Sequence, residues 1–251
     1  MNKKTLKAAL AGLILSVSGF ANAGLIAYIN ASGSDVSFLN SMGHTVTNFV
    51  NPIGLTYGAL SGYDSVIVSS NGVFTEATNL GNTLRTFADN GGGVVLTEFA
   101  FQGTWALQGA ILDVGYNPFT NDPLSSGYVN SVTVGNILQP NDSLFDNLNT
   151  NNILGTYNAN VGLSAGATLV ADWSNGRHAF AYNNLNSSAV VGLNMFQFDN
   201  LDEHMLLSNA VNISMAGVNI NPVPEPSTIA IFAIGIMGLA SRRSLLVNKK
   251  Q

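Results

Sequence analysis

Two stretches decide the fold, Tyr63-Asp64-Ser65-Val66-Ile67-Val68 and Gly91-Gly92-Gly93-Val94-Val95-Leu96-Thr97. Each apolar run is short and rich in β-branched residues, and neither alternates with polar positions, which is the pattern of a strand buried on both faces. Between them, Glu76 to Ala88 predicts a helix with Leu80, Leu84 and Phe87 on one side, and the glycine run closes it. Strand, helix and strand in that order build a right-handed crossover between parallel neighbours. Working outward, Leu25 to Ile29 predicts a first strand and Val46 to Val50 a second. Ser34-Asp35 can cap a short helix between them, with Val36, Leu39 and Met42 at helical spacing and Gly43 at its end. The expectation is an α/β domain, with a mainly parallel sheet covered by helices on both faces.

Beyond Glu98 the signal changes. Phe99 to Val114 predicts a third helix, and Gly115 to Ser126 a long polar loop over the strand ends. Strands follow at Val129 to Val134, Ala167 to Trp173, His178 to Tyr182 and Ala189 to Leu193, with Ser174-Asn175-Gly176 as a hairpin turn. A last helix is expected from Asp202 to Met215. The second half therefore reads as an antiparallel extension of the sheet.

The two ends of the chain are of another kind. Lys3, Lys4 and Lys7 precede an apolar stretch from Ala8 to Phe20, and Ala21-Asn22-Ala23 then supplies the small-x-small pattern of a signal peptidase site, with cleavage before Gly24. At the other end Val223-Pro224-Glu225-Pro226-Ser227-Thr228 is followed by twelve uncharged residues, Ile229 to Ala240, and by Arg242-Arg243. The alternating Pro222, Pro224 and Pro226 favour an exposed, extended linker. A helix over the apolar run spans roughly 18 Å against about 30 Å of hydrocarbon, short for a lasting anchor. The basic pair after it favours a cytoplasmic C-terminus, leaving the rest outside. This order of features resembles the PEP-CTERM sorting signal. The resemblance implies a bacterial export that passes through the membrane during sorting, is cut near Pro-Glu-Pro by an exosortase-type protease, and is often linked to extracellular polysaccharide.

The expected organisation is a signal peptide over 1–23, an α/β domain over 24–217, and a Pro-rich linker over 218–228. A short sorting helix over 229–240 and a basic tail over 241–251 complete it. Between residues 24 and 226 stand two arginines, Arg85 and Arg177, and all fourteen carboxylates of the chain, a formal charge of −12, with no lysine. Such a surface cannot neutralise phosphates, so nucleic acid is excluded as a partner. The chain has no cysteine, which removes thiol nucleophiles, thiolate metal sites and disulfides. No cofactor is expected.

Several segments together resemble landmarks of the class I glutamine amidotransferase-like superfamily, in its trehalose-utilisation-like branch. They are Tyr63 to Val68, Leu84 to Val95, Asn141-Asp142-Ser143-Leu144-Phe145-Asp146-Asn147-Leu148, Asn175-Gly176-Arg177-His178-Ala179-Phe180 and Leu206 to Val211. The resemblance implies a flavodoxin-like sheet. In those enzymes the turn after the strand matching Val94 to Leu96 carries a cysteine; here it reads Thr97-Glu98-Phe99-Ala100. It thus implies the scaffold without the reaction, because amide transfer needs a strong nucleophile beside a base. A non-catalytic binding or structural module linked to exopolysaccharide is the leading reading.

Glu98, Phe99 and Trp105 form the candidate ligand pocket, where Phe101, Tyr116 and Phe119 would add rings for a sugar to stack on. The same rings equally suit a core under a long loop. A Ser-His-Asp hydrolase can be drawn from Ser69 or Ser70, His178 or His204, and Asp199 or Asp202, although the Gly-x-Ser-x-Gly elbow is missing. A glycan or ester hydrolase using Glu98 with Asp172 or Asp199 is the alternative reading. Asp199, Asp202 and Glu203 are a candidate calcium cluster, and Asp202-Glu203 also suits a helix N-terminus. A protein held in the membrane by its tail is the third alternative.

Overall fold

A computed structural model describes residues 24–97, 99–121 and 131–216. The first strand, β1 (Leu25–Ile29), is followed by α1 (Gly33–Ser41), β2 (Thr45–Phe49), a single turn α2 (Tyr57–Leu60), β3 (Ser65–Val68), α3 (Ala77–Asp89) and β4 (Gly93–Thr97). Then come β5 (Phe119–Thr120), β6 (Val132–Ile137), β7 (Leu154–Gly155), β8 (Gly162–Leu163), β9 (Thr168–Trp173), β10 (His178–Asn184), β11 (Ala189–Leu193) and α4 (Leu201–Ala216).

Nine of these strands make one sheet in the order β2-β1-β3-β4-β11-β10-β9-β6-β7. The first five are parallel throughout, and from β10 onward every pairing is antiparallel. Counted by parallel strands alone, the order is two-one-three-four-five, the doubly wound order of flavodoxin-like folds. The expected fold class holds, and the antiparallel extension is attached through β10 to the last parallel strand.

Alternation along each strand divides the core. Ile26, Tyr28, Ile67, Val95 and Val191 meet Leu206, Leu207, Ala210 and Val211 of α4 on one face. Ala27, Ile29, Val66, Val68, Val94 and Leu96 meet Leu80, Leu84 and Phe87 of α3 on the other. A period of two places successive side chains on opposite faces, so continuous apolar runs are what a sheet covered twice requires. Burying each such side chain contributes about 1.5–3 kcal/mol, and Leu84→Ala would remove about 2–5 kcal/mol with its cavity.

Two expectations need correcting. The helix cap before α1 is Ser32, whose hydroxyl accepts from the Asp35 N–H at 3.2 Å, two residues earlier than expected. The predicted helix from Phe99 to Val114 is instead two 3₁₀ turns, Gly103–Trp105 and Ala110–Leu112. Ala106 and Asp113 end them in extended backbone, and Phe99 sits at φ +64°, so no helical path runs through the segment. Two glycines pack α3 and α4 close: a Cβ on Gly93 would lie 2.4 Å from the Ser214 backbone, and one on Gly92 only 2.2 Å from the Phe87 ring.

Candidate functional site

In a doubly wound sheet, ligands sit outside the carboxyl ends of the parallel strands. At that edge the chain leaves β1 through Asn30 (φ +58°), leaves β2 through Asn51 (φ +43°) and leaves β4 through Phe99 (φ +64°). Asparagine tolerates left-handed backbone, whereas a bulky aromatic there is strained and persists only where its surroundings hold it. Phe99 is held by rings: Phe196 lies 4.8 Å away between centroids, Trp105 5.0 Å and Tyr157 5.7 Å. Tyr157 and Phe196 meet edge-on at 6.0 Å, and Tyr157 is itself left-handed at φ +58°. Phe99 is buried, and the other three rings are partly exposed around it.

The supports of this cluster are polar and fully engaged. Asn194, wholly buried at the end of β11, accepts from the Ala159 N–H at 2.8 Å and donates to the carbonyls of Ala159 (2.9 Å) and His178 (2.7 Å). Its own carbonyl takes the Trp173 indole N–H at 3.1 Å. The Phe196 N–H then reaches the Thr156 carbonyl at 3.2 Å. These bonds clamp the segment that carries Tyr157 onto the strand that leads to Phe196. Satisfied buried networks of this kind fix one geometry.

Of the expected pocket residues, Phe99 and Trp105 come together, while Glu98 lies outside the described residues. Tyr157 and Phe196 were not foreseen. The other expected rings belong elsewhere: Phe101 and Phe119 pack edge-on at 5.2 Å in the α3-side core. Tyr116 lies under Arg85, whose guanidinium carbon is 4.0 Å from the ring centre, and its hydroxyl donates to Asp89.

The histidines do not assemble a serine triad. His178 Nδ1 is 2.8 Å from Asp172 across β9 and β10. His204 stacks on Phe38, bonds the Asn200 carbonyl through Nδ1, and places Nε2 3.3 Å from Asp35. Asp35 also receives the Tyr28 hydroxyl at 2.9 Å, and burial raises the pKa values of both groups. Ser70 gives its hydroxyl proton to the Gly72 carbonyl. His44 is buried at the opposite edge, where desolvation holds it below the ordinary histidine range.

The candidate calcium residues are spent on the start of α4. Asn200 and Glu203 cap reciprocally: the Glu203 N–H donates to the Asn200 side chain at 3.1 Å, and the Asn200 N–H to the Glu203 carboxylate at 3.2 Å. That carboxylate also accepts from the N–H groups of Asp199 (2.7 Å) and Leu154 (3.0 Å). Asp202 accepts from the Asn152 amide and the Asn149 N–H, which hold its pKa below the ordinary range. Among the described residues no group of three or more His, Asp or Glu is placed to hold a metal ion.

The signal peptidase residues Ala21 and Ala23 and the sorting residues Val223 to Thr228, Arg242 and Arg243 lie outside the described residues. Among the described residues no helix is long and apolar enough to cross a membrane. Residues 222–244 match the PEP-CTERM protein-sorting motif. No curated protein matches the sequence. Among solved structures, a cytoplasmic protein from Salmonella typhimurium is similar in fold, with a TM-score of 0.58 at 11% identity, over 76% of this chain and 98% of that one. A glutamine amidotransferase from Thermotoga maritima has a TM-score of 0.47 at 9% identity, over 77% of this chain and 93% of that one. A ThuA-like protein from Bacteroides uniformis has 0.43 at 14%, over 76% and 91%. The chain thus joins a flavodoxin-type, doubly wound α/β domain to a C-terminal PEP-CTERM sorting motif.

Proposed function

We propose that this protein is exported, sorted to the cell surface through its C-terminal motif, and serves there as a non-catalytic binding module. Its ligand site is the ring cluster of Phe99, Trp105, Tyr157 and Phe196, and its ligand class is uncharged extracellular polysaccharide. The observation that carries the reading is the turn after β4. It presents a strained phenylalanine backed by three further rings at the edge where doubly wound sheets bind ligands. Ring faces suit the apolar faces of sugars, and the excess of carboxylates in residues 24–226 disfavours a polyanionic glycan. The absence of cysteine from the chain supports binding without amidotransferase-type turnover.

The test is co-sedimentation of the mature protein with exopolysaccharide from its own strain. Trp105→Ala and Tyr157→Ala are each expected to weaken binding about tenfold, the equivalent of roughly 1.4 kcal/mol. Unchanged binding in both variants overturns the site. Removal of the motif's apolar run after sorting is part of the reading, and the intact mass of the surface protein decides it: residues 229–251 must be missing.

One observation favours a second reading, a hydrolase. The His178–Asp172 pair is only partly buried, and its aspartate orients an imidazole as a general base would require. Turnover of a glycoside or ester panel, abolished in His178→Gln or Glu98→Gln, would establish it.

A further inference from the structure

The amino edge of the sheet holds a cavity that the proposed function does not use. Its volume is about 450 Å³, and Gly24, Asp64 and Asn212 line it together with Tyr57 and Tyr63. Gly24 is buried, and its nitrogen donates to Nδ1 of His44 at 3.1 Å. The next N–H, of Leu25, donates to the exposed Asp64 carboxylate at 2.8 Å. Asn212 on α4 brings an amide oxygen that is buried and has no hydrogen-bond partner among the described residues. Acceptors therefore outnumber the single proton that a peptide nitrogen at residue 24 can offer. The position is also tight, since a Cβ there would lie 2.5 Å from the Met215 sulfur and that side chain would have to move.

We propose that this cavity is the seat of an α-ammonium group at Gly24, made by hydrolysis of the Ala23–Gly24 peptide, so that processing of the N-terminus completes the amino edge of the domain. The proposal rests on the export reading. Hydrolysis consumes one water: the C–N bond breaks, Ala23 leaves with a carboxylate, and the Gly24 nitrogen takes up the remaining protons as –NH₃⁺. One donor becomes three, against His44 Nδ1, the Asp64 carboxylate and the Asn212 oxygen. Because burial keeps His44 neutral at pH 7, its Nδ1 is free to accept.

The titratable groups around the new terminus are Asp64, His44, Tyr57 and Tyr63. Burial of Gly24 by itself lowers the pKa of its amine, and the Asp64 carboxylate with two further acceptors raises it; in the proposed seat the acceptors win, and the amine titrates above the ordinary α-amino range of about 7.7–8.0. Its stabilising effect is complete below that range and is lost as pH rises through the folded value.

Residues 24–226 contain no lysine, so the Gly24 amine is the one amine of that segment and can be read directly. The processed protein is recovered from cells, its N-terminus sequenced, and its amine reacted with an acylating label across pH. Peptide mapping separates any signal from Lys249 and Lys250. The expected result is a chain starting at Gly24 whose amine reacts about fivefold more slowly at pH 8 than in the urea-unfolded protein, as a rise of about one pKa unit from the ordinary α-amino range requires. Asp64→Asn, an exposed change that leaves the core intact, is expected to restore most of that rate, and His44→Gln part of it. A chain that starts at Gly24 with an amine as reactive as in urea overturns the seat and leaves export standing. A mature chain that starts elsewhere overturns the seat, and one that still carries residues 1–23 overturns the export reading as well.

Discussion

The two edges of the parallel sheet are built on opposite principles. At the carboxyl edge the backbone is bent into left-handed turns at Asn30, Asn51 and Phe99, and the space beyond β4 is filled by rings stacked on rings. At the amino edge the backbone is packed close, with Gly93 against the Ser214 backbone and Gly24 against the Met215 side chain, and the polar atoms of His44 and Asp64 take main-chain N–H groups. The difference teaches where the domain stores strain and where it stores packing. Strain held in place by neighbours belongs with ligand sites, whereas close backbone contact leaves no slack for substitution.

The largest effect expected from this contrast is at the amino edge. Gly93→Ala puts a methyl group 2.4 Å from α4 backbone that cannot rotate away, and should cost about 3 kcal/mol, read as a lower urea midpoint. A variant as stable as the parent would break the comparison. Next comes Phe99→Gly, which opens a cavity worth about 3–5 kcal/mol but removes the Cβ and with it the left-handed strain, worth about 1–3 kcal/mol. The net loss should be smaller than for a buried phenylalanine in ordinary backbone, such as Phe180→Ala, and a larger loss would show that the turn stores no strain.

Acid sharpens the amino edge further. Burial lowers the pKa of His44, so its contribution is present above the unfolded value near 6.5 and is lost as pH falls toward the folded one. Wild type should therefore lose more stability between pH 7 and pH 5 than His44→Gln does, and equal losses would remove His44 from the account. The smallest effect is at Asp202, which is partly exposed. Its pKa is lowered by the Asn152 and Asn149 bonds, so Asp202→Asn should lower the urea midpoint slightly at pH 7, and the difference should vanish as pH falls through the folded-state value.

Much of the scaffold was legible because its signals are local. The runs Leu25–Ile29 and Ala189–Leu193 are strands with the expected bounds, each punctuated by residues that turn the chain. The helix expected over Phe99 to Val114 failed because an apolar run with helical spacing says nothing about a backbone that neighbouring rings force left-handed at its first residue. Gly103, Gly109 and Gly115 within and beside that run were the signal that could have warned of it. Half of the ring cluster was visible for a similar reason. Phe99 and Trp105 share one segment, while Tyr157 and Phe196 arrive from the antiparallel half and from the end of β11, with no local mark of their meeting. The acidic cluster before α4 suits both calcium ligands and a helix start in sequence, and the hydrogen bonds show its carboxylates engaged at the helix start.

By itself the sequence determined the class of the domain, the motif that sorts it, and the chemistry closed to it. A buried parallel strand, a Pro-Glu-Pro tail and a missing cysteine are properties of contiguous residues or of composition. Tertiary structure alone decided which side chains meet. His204 joined Asp35 across two helices, His178 joined Asp172 across two strands, and four rings from three segments closed over the end of β4. Contacts between residues far apart in the chain depend on strand order and register, and strand order is set by the packing of the whole sheet and not by any one segment of it.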